Sequence, residues 1–252
     1  MKIAVTGKGG VGKTTLAAAL ALLFSRDGIK VVAIDGDPDS NLAATLGFPE
    51  AEKIVPLAEM KQLIAERTGV KEGVIGSYFK LNPRVDDIPE RFCPEYKGIR
   101  LMVMGGIRSG GSGCFCPENA FLKSLLAHLL IARDEVVILD MEAGVEHLSR
   151  GTAAAVDALI LVVEPTKRSI ETALRIKRLA SDLQIKKVFV VPNKLRTKAD
   201  ADFIKSNLQG LEFLGSIRYY ESAVDGLSEA FIIAAAGIKK GLEEELQPVS
   251  HD

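Results

Sequence analysis

The sequence has few cysteines, no long apolar run and little net charge, and each shortage excludes a class of protein. Only 3 cysteines occur in 252 residues, so they cannot all pair, unlike those of a small secreted disulfide-bonded protein. The longest apolar run, residues 16–24, is too short to span a bilayer. The net charge is −1 and no long basic block occurs, which argues against a nucleic-acid-binding protein.

The composition is that of a globular protein, with 47% apolar and 26% charged residues. An apolar strand pattern already begins at residue 2, so we expect no signal peptide and a cytoplasmic protein. The length suits one α/β domain, which we predict to cover residues 1–252. The tail from Gly241 carries three consecutive glutamates and has no basic amphipathic helix, so we expect no membrane insertion.

Short apolar strands alternate with helical patterns along almost the whole chain, and several strands are apolar on both faces. This alternation predicts an α/β fold, with a doubly wound, mostly parallel sheet and helices on both faces. Residues 48–98 are less regular, and we predict that they elaborate one edge or face. The predicted strands are residues 2–6, 31–35, 100–104, 136–140, 158–163, 187–191 and 213–217. The predicted helices are residues 14–25, 57–67, 117–133, 169–182, 199–208 and 222–235.

A glycine-rich segment, residues 7–15 with the sequence GKGGVGKTT, lies between a predicted strand and a predicted helix. Glycines lack a Cβ, so consecutive backbone N–H groups can turn inward and surround an anion. The helix that follows directs the positive end of its dipole to the same place. Lys13 would contact the β- and γ-phosphates, and the Thr14 hydroxyl would bind Mg²⁺. The predicted nucleotide-binding residues of this P-loop are Gly9, Gly10, Val11, Gly12, Lys13, Thr14 and Thr15.

Lys8 is a second lysine inside the loop and gives the pattern K-G-G-x-x-K-T. This pattern resembles the deviant Walker A ATPases, which include the MinD and ParA proteins and the nitrogenase iron protein. The resemblance implies hydrolysis of ATP to ADP. It also implies that Lys8 reaches across a two-fold axis to the phosphates of the partner subunit, so that ATP promotes a homodimer. The alternative is an ordinary solvated loop lysine.

Aspartates end two of the predicted strands, at the carboxyl edge where doubly wound folds bind ligands. The D-G-D-P segment at residues 35–38 resembles the first switch of the family, which implies that Asp37 positions the attacking water. Asp35 would then order the loop or support Mg²⁺. Asp140 ends an apolar strand and would hold Mg²⁺ directly or through water, and the M-E-A-G segment after it resembles the second switch. A plain Asp-Pro turn is the alternative for Asp37.

Two residues further along the chain are candidates for contact with the adenine base. Asn193 follows an apolar strand, and its carboxamide both donates and accepts hydrogen bonds. Family members often use an asparagine here for the base. Arg218 lies at the end of the last predicted strand and would stack on the same base. A helix N-cap for Asn193 and a surface charge for Arg218 are the alternatives.

Cys114 and Cys116 form a C-F-C segment in a glycine-rich stretch just before a predicted helix. Alternate residues of an extended segment face the same side, so both thiolates could bind one soft or borderline metal. Two ligands rarely suffice, but a two-fold axis would double them to four. The alternative is a pair of buried thiols acting as small apolar groups. Cys93 stands alone and is interpreted as structural or simply reduced.

Three functions are compatible with these motifs. The P-loop, the D-G-D-P and C-F-C segments and the D-M-E-A-G segment most resemble the CooC-type nickel-insertion accessory ATPases. That resemblance implies ATP, Mg²⁺ and Ni²⁺, with Zn²⁺ possible at the same site, and apo carbon monoxide dehydrogenase as the client. An iron–sulfur electron donor is less favoured, because Ala143 stands where that group has a cluster cysteine. A partitioning or positioning ATPase would have no need for C-x-C.

Overall fold

The computed structural model describes residues 1–70, 78–105, 116–145, 148–221 and 227–246. In these residues eight strands form one sheet. The strands are β1 (Lys2–Thr6), β2 (Val31–Asp35), β3 (Glu95–Tyr96), β4 (Ile99–Val103), β5 (Val136–Asp140), β6 (Ala158–Val163), β7 (Val188–Pro192) and β8 (Glu212–Phe213). The helices are α1 (Lys13–Arg26), α2 (Leu42–Leu46), α3 (Lys61–Thr68), α4 (Ile88–Phe92), α5 (Pro117–Ile131), α6 (Arg150–Ala153), α7 (Lys167–Asp182), α8 (Lys198–Asn207) and α9 (Glu229–Leu246).

The sheet has the order β3-β4-β2-β5-β1-β6-β7-β8. Every described strand pair is parallel except β3 with β4, where the short edge strand runs antiparallel. The carboxyl ends of β1, β2 and β5 therefore meet at the same edge of the sheet. From β1 the chain crosses to β2 on one side, and after β5 it continues with β6 on the other side of β1. The strand order therefore reverses at the centre of the sheet, which is the arrangement in which α/β folds bind ligands.

Two apolar layers cover the two faces of the sheet, because side chains alternate along each strand. On one face Ile3 and Val5 pack in the same cluster as α1, α2 and α9. On the other face Ala4 packs with the cluster that contains residues of α3 to α8. Helix α1 is buried almost all round, which fixes the helix that follows the P-loop against the sheet. The predicted doubly wound α/β fold is confirmed.

Several predicted bounds agree with the structure and others need correction. The strands at residues 2–6, 31–35, 136–140 and 158–163 are observed as predicted, and β4 and β7 are displaced by one residue. The strand predicted for residues 213–217 is wrong beyond Phe213, because the ladder to β7 is interrupted at that point. Leu214 donates to the carbonyl of Val190, and Ile217 donates to that of Pro192. Between these two hydrogen bonds the chain advances three residues after Phe213 but only two residues on β7, so the regular pairing is lost.

Two helix predictions were also wrong in extent. The helix predicted for residues 57–67 is a 3₁₀ turn at Leu57–Glu59 followed by α3, with the break at Met60. The helix predicted for residues 222–235 begins only at Glu229 and continues through the glutamates to Leu246, and residues 222–226 of that prediction lie outside the described residues. Ile238 and Leu242 are buried, and Lys239 pairs with Glu243 one turn on, so burial overrides the helix-weakening glycines.

The less regular segment, residues 48–98, contributes short elements to one side of the molecule. Its helices α3 and α4 pack in the same apolar cluster as α5, and β3 extends one edge of the sheet. The helices α2, α4 and α6 and the strand β3 were not predicted. Each has at most five residues, too few for a hydrophobic period to show.

Candidate nucleotide site

The P-loop runs from β1 into α1 and can be formed only with glycine at two of its positions. Gly12 is the N-cap of α1 with φ 95°, and a Cβ there would lie 2.4 Å from Asn193 Nδ2. Gly7 has φ 151°, and a Cβ there would lie 2.3 Å from the carbonyl oxygen of Val162. These close approaches place the loop against β6 and against Asn193, the residue after β7. The first N–H groups of α1 have no partner within the helix itself.

A cleft of about 740 Å³ opens beside this loop at the carboxyl edge of the sheet. Its size is that of an ordinary small-molecule site. Most of the predicted site residues line it, namely Gly9, Gly10, Gly12, Lys13, Thr14, Thr15, Asp37, Asn193 and Arg218. Val11 is fully buried, and its N–H donates to the carbonyl of Lys8, so it lies behind the cleft.

Asp35 organises the loop that carries Asp37. The Asp35 side chain is fully buried, and its two oxygens accept from the N–H groups of Asp37 at 3.2 Å and Leu42 at 2.9 Å. Asp37 is less buried and lines the cleft. Burial raises the pKa of Asp35 to about 6, although these backbone hydrogen bonds oppose the rise. Of the two roles considered for Asp35, loop ordering has direct contacts in the structure.

Asp140 is a fully buried carboxylate near the Thr14 hydroxyl. It is the register neighbour of Asp35 on the adjacent strand, and among the described residues no group meets hydrogen-bond geometry at either of its oxygens. Burial raises its pKa to about 7, and the nearby Thr14 hydroxyl and Lys13 ammonium only partly oppose that rise. A buried carboxylate is costly unless a cation compensates it. Asp140 and the Thr14 hydroxyl supply the oxygen ligands that Mg²⁺ prefers, so these residues fit a magnesium ion.

Thr6, at the end of β1, fixes the segment after Asp140. Its hydroxyl lies 2.6 Å from the carbonyl oxygen of Glu142, and the N–H of Gly144 donates to the hydroxyl oxygen at 3.2 Å. The segment that resembles the second switch is therefore held directly beside the start of the P-loop. Arg175 of α7 also contacts it, donating to the carbonyl of Ala143 at 3.0 Å.

Lys8 does not line the cleft of its own chain. Its ammonium group lies 2.9 Å from the Glu164 carboxylate, just after β6, and its side chain is 34% exposed. Lys13, by contrast, lines the cleft and is only 6% exposed. The two lysines of the loop therefore point to different surroundings.

Asn193 holds the P-loop from behind. Its Nδ2 donates to the carbonyl of Val11 at 2.7 Å, and its Oδ1 accepts from the N–H of Lys194 at 2.8 Å. Both ends of the carboxamide are thus engaged, and the predicted contact with adenine stays a prediction. Lys194, which the sequence did not single out, donates to the carbonyl of Gly10 at 2.6 Å.

Part of the cleft lining is aromatic. Arg218, Tyr219, Tyr220 and Phe231 line it together. Only Arg218 was predicted from the sequence. The tyrosines follow it directly and could have been found, since aromatic rings beside a strand-end arginine suit a planar base. Phe231 comes from α9, which packs on α1, and nothing near it in the sequence marks it.

The cysteines lie at three kinds of position. Cys114 is outside the described residues. Cys116 is the half-buried N-cap of α5 and ends the connection that leaves the carboxyl end of β4. Cys93 packs against the apolar core, and burial raises its pKa to about 12, as in an unreactive structural thiol. Within the described ranges no group of three or more His, Cys, Asp or Glu residues is placed to hold a metal.

None of the helices described is both long and apolar enough to cross a membrane.

The sequence matches the family described as "CobQ/CobB/MinD/ParA nucleotide binding domain" over residues 2–229. It is 49% identical over 233 residues to the carbon monoxide dehydrogenase accessory protein CooC of Rhodospirillum rubrum, covering 91% of this chain and 88% of that one.

A similar identity, 50% over 227 residues, relates the chain to an uncharacterized ATP-binding protein of Methanocaldococcus jannaschii, covering 89% of this chain and 87% of that one. Among solved structures, MinD in the MinC:MinD cell division complex of Aquifex aeolicus superposes with a TM-score of 0.65. That match has 20% sequence identity and covers 100% of this chain and 98% of that one. At this identity the structural similarity is a statement about the fold alone.

Proposed function

Because the chain belongs to the CobQ/CobB/MinD/ParA family of nucleotide-binding domains, we propose that its ATPase activity assists nickel insertion into carbon monoxide dehydrogenase. The observation that carries this proposal is the 49% identity to the CooC accessory protein across 91% of the chain. ATP binding and hydrolysis belong to the family. The client, the metal and the roles of individual residues are the parts that need testing.

The nucleotide phosphates bind at the N-terminus of α1. The N–H groups of the P-loop and the Lys13 ammonium neutralise the phosphate charge. Mg²⁺ would be held by Thr14 and Asp140, and it supplies charge neutralisation of the phosphate oxygens when bound. Asp140 supports this assignment because it is fully buried and, within the described part of the chain, neither of its oxygens has a hydrogen-bond partner.

Asp37 positions the water that attacks the γ-phosphate. Phosphoryl transfer depends on an in-line nucleophile and charge compensation more than on strong base catalysis. Asp37 lines the cleft, and its backbone is held by Asp35. Asp35 therefore acts through Asp37 and is a positioning residue rather than a catalytic one.

Lys8 acts on the nucleotide of a partner subunit. It does not line its own cleft, while Lys13 and Lys194 do. A partly exposed cation outside its own cleft gains most when a second molecule presents phosphate to it. The working unit is then an ATP-promoted homodimer, in which the carboxyl edges of the two sheets face one another.

Cys114 and Cys116 bind the cargo metal at the two-fold axis. Each chain supplies two thiolates, and two chains supply the four that a closed site needs. Cys116 lies at the N-terminus of α5, where the helix dipole favours an adjacent anion. Thiolates bind both Ni²⁺ and Zn²⁺, so the assignment of nickel depends on the similarity to CooC. ATP binding and hydrolysis would change the spacing of the two loops, and so couple metal transfer to nucleotide state.

The test is metal binding by purified protein with Cys114→Ser, Cys116→Ser and Cys93→Ala variants. Either serine variant should reduce Ni²⁺ affinity sharply, because symmetry removes two of four ligands at once. Cys93→Ala is the matched control and should bind as the parent does, since that thiol packs against the core. ATP hydrolysis without metal should survive in all three. Unchanged metal binding in a Cys114→Ser, Cys116→Ser double variant would contradict the proposed site.

A further inference from the structure

The residue that pairs with Lys8 follows β6 directly. Strand β6 lies beside β1, with Thr6 opposite Leu161. The chain after β6 is therefore carried past the start of the P-loop, and Gly7 approaches the carbonyl of Val162 closely. Glu164 comes two residues later and meets Lys8 there.

Glu164 is held in place by contacts that do not involve Lys8. Its backbone N–H donates to the hydroxyl of Ser169, a buried residue in the first turn of α7, at 3.1 Å. The Thr166 hydroxyl donates to the Glu164 carboxylate at 3.3 Å. The Glu164 side chain is only 15% exposed. The carboxylate is thus a fixed acceptor at the base of the loop, whereas Lys8 is the longer and more exposed partner.

This ion pair gives Lys8 a counter-ion inside its own chain. While the pair is closed, the Lys8 charge is compensated and lies away from its own cleft. Lys8 can reach phosphate on another subunit only if it leaves Glu164. Partly exposed ion pairs are weak, so a nucleotide carrying several negative charges can compete for the lysine.

We propose that Glu164 is a positioning residue that holds Lys8 in its own subunit until the nucleotide of the partner replaces it. The inference rests on the proposed ATP-dependent dimer. It adds that the strength of this dimer is set partly by a contact within each monomer. Because the dimer is symmetric, two Lys8–Glu164 pairs open each time it forms.

Glu164→Gln tests this directly, since glutamine keeps the shape and the backbone contact to Ser169 but removes the charge. With a non-hydrolysable ATP analogue, the dimer dissociation constant measured by sedimentation should fall by about fivefold to thirtyfold, because two weak pairs no longer compete. Glu171→Gln is the matched control. It removes the same charge from the exposed surface of α7 and should leave the constant unchanged.

A double-mutant cycle with Lys8→Ala measures the coupling between Glu164 and Lys8 in dimer affinity. A purely structural role of Glu164 would give no such coupling. Glu164→Gln should improve dimerisation much less in the Lys8→Ala background than in the parent. Equal improvement in both backgrounds would overturn the proposal, as would an unchanged or weaker dimer for Glu164→Gln alone. If Lys8→Ala forms the ATP-dependent dimer as well as the parent, the proposed action of Lys8 in trans fails. If only the Glu164 result fails, that dimer mechanism stands.

Discussion

The carboxylates at the amino end of the sheet are paired with cations, whereas Asp140 at the carboxyl end is buried and has a raised pKa. At the amino end Arg133 pairs with both Glu135 and Glu90, and Lys2 donates to the carbonyl of Glu135. The hydrogen bonds from Arg133 lower the pKa of Glu135 to about 2. At the carboxyl end burial raises the pKa of Asp140 to about 7, and its oxygens have no hydrogen-bond partner among the residues that the structure describes.

The difference indicates two roles for carboxylates. Those at the amino end stabilise the fold, and the one at the carboxyl end is proposed to bind a ligand. A paired carboxylate contributes to stability, whereas a buried and unpaired one lowers it. This contrast supports the proposal that the carboxyl edge binds a cation and a polyphosphate, whereas the paired charges of the amino edge hold the sheet together.

Substitutions at the two ends of the sheet should differ most in their effect on ATP turnover. Lys13→Ala and Asp37→Ala should each reduce kcat by about 100-fold or more, while Glu135→Gln at the amino end should leave kcat near the parental value. Lys13→Ala should also weaken nucleotide binding, because it removes a cation from the phosphates. Asp37→Ala should bind ATP normally, because the role proposed for Asp37 is only to position water. Parental turnover by Asp37→Ala would show that the first-switch assignment is wrong.

The next comparison is between the effects of substituting a glycine at the carboxyl end of the sheet and one at its amino end. Gly12 and Gly28 both have positive φ. A Cβ at Gly12 would meet Asn193, whereas no atom of the described residues lies within 4 Å of a Cβ at Gly28. Gly12→Ala should lower the free energy of unfolding by about 2–4 kcal/mol and weaken ATP binding. Gly28→Ala should cost only about 1 kcal/mol and leave ATP binding intact. Equal losses in urea unfolding would mean that the Asn193 contact contributes little.

Neutralising one carboxylate at each end should change stability in opposite directions. Asp140→Asn should raise the free energy of unfolding of the nucleotide-free protein at pH 8 by about 1–3 kcal/mol, because it removes an unpaired buried charge. Glu135→Gln should lower it by about 1 kcal/mol, because it breaks a paired network. Urea unfolding without Mg²⁺ measures both. Destabilisation by Asp140→Asn would argue that this carboxylate is already compensated.

The pH dependence should show the same contrast on a smaller scale. The folded state holds protons on Asp35 to about pH 6 and on Asp140 to about pH 7, whereas the unfolded chain loses them near 4. The folded state binds more protons in this window, so these groups reduce stability as pH rises from about 4 to 7. The stability advantage of Asp140→Asn over the parent should therefore grow with pH by about 1 kcal/mol or more. A difference that is constant from pH 4 to 8 would contradict the raised pKa.

Local sequence patterns were enough to predict the fold class and the P-loop. Strands such as β1 and β5 have apolar, buried interiors. Asp140 ends β5, so its position at the carboxyl edge follows from the parallel sheet. The contacts around the loop could not be predicted. Asn193 lies 182 residues from Val11, and Lys8 and Glu164 are 156 residues apart. Only the strand order brings these pairs together.

Helix α9 is an element whose extent could not be predicted from the local sequence. Gly237 and Gly241 weaken a helix, and the prediction ended before them at residue 235. The observed helix continues because Ile238 and Leu242 are buried in the cluster that contains α1. That burial comes from tertiary packing, which no window of the local sequence contains.

The most direct test of the central claim is the metal stoichiometry of the protein in its nucleotide-bound state. Native mass spectrometry with an ATP analogue and Ni²⁺ would measure mass and metal content together. The account predicts a dimer with one Ni²⁺ per two chains, and loss of both metal and part of the dimer when Cys114 and Cys116 are changed to serine. One metal per chain, persisting in a monomer, would contradict a site shared between two subunits.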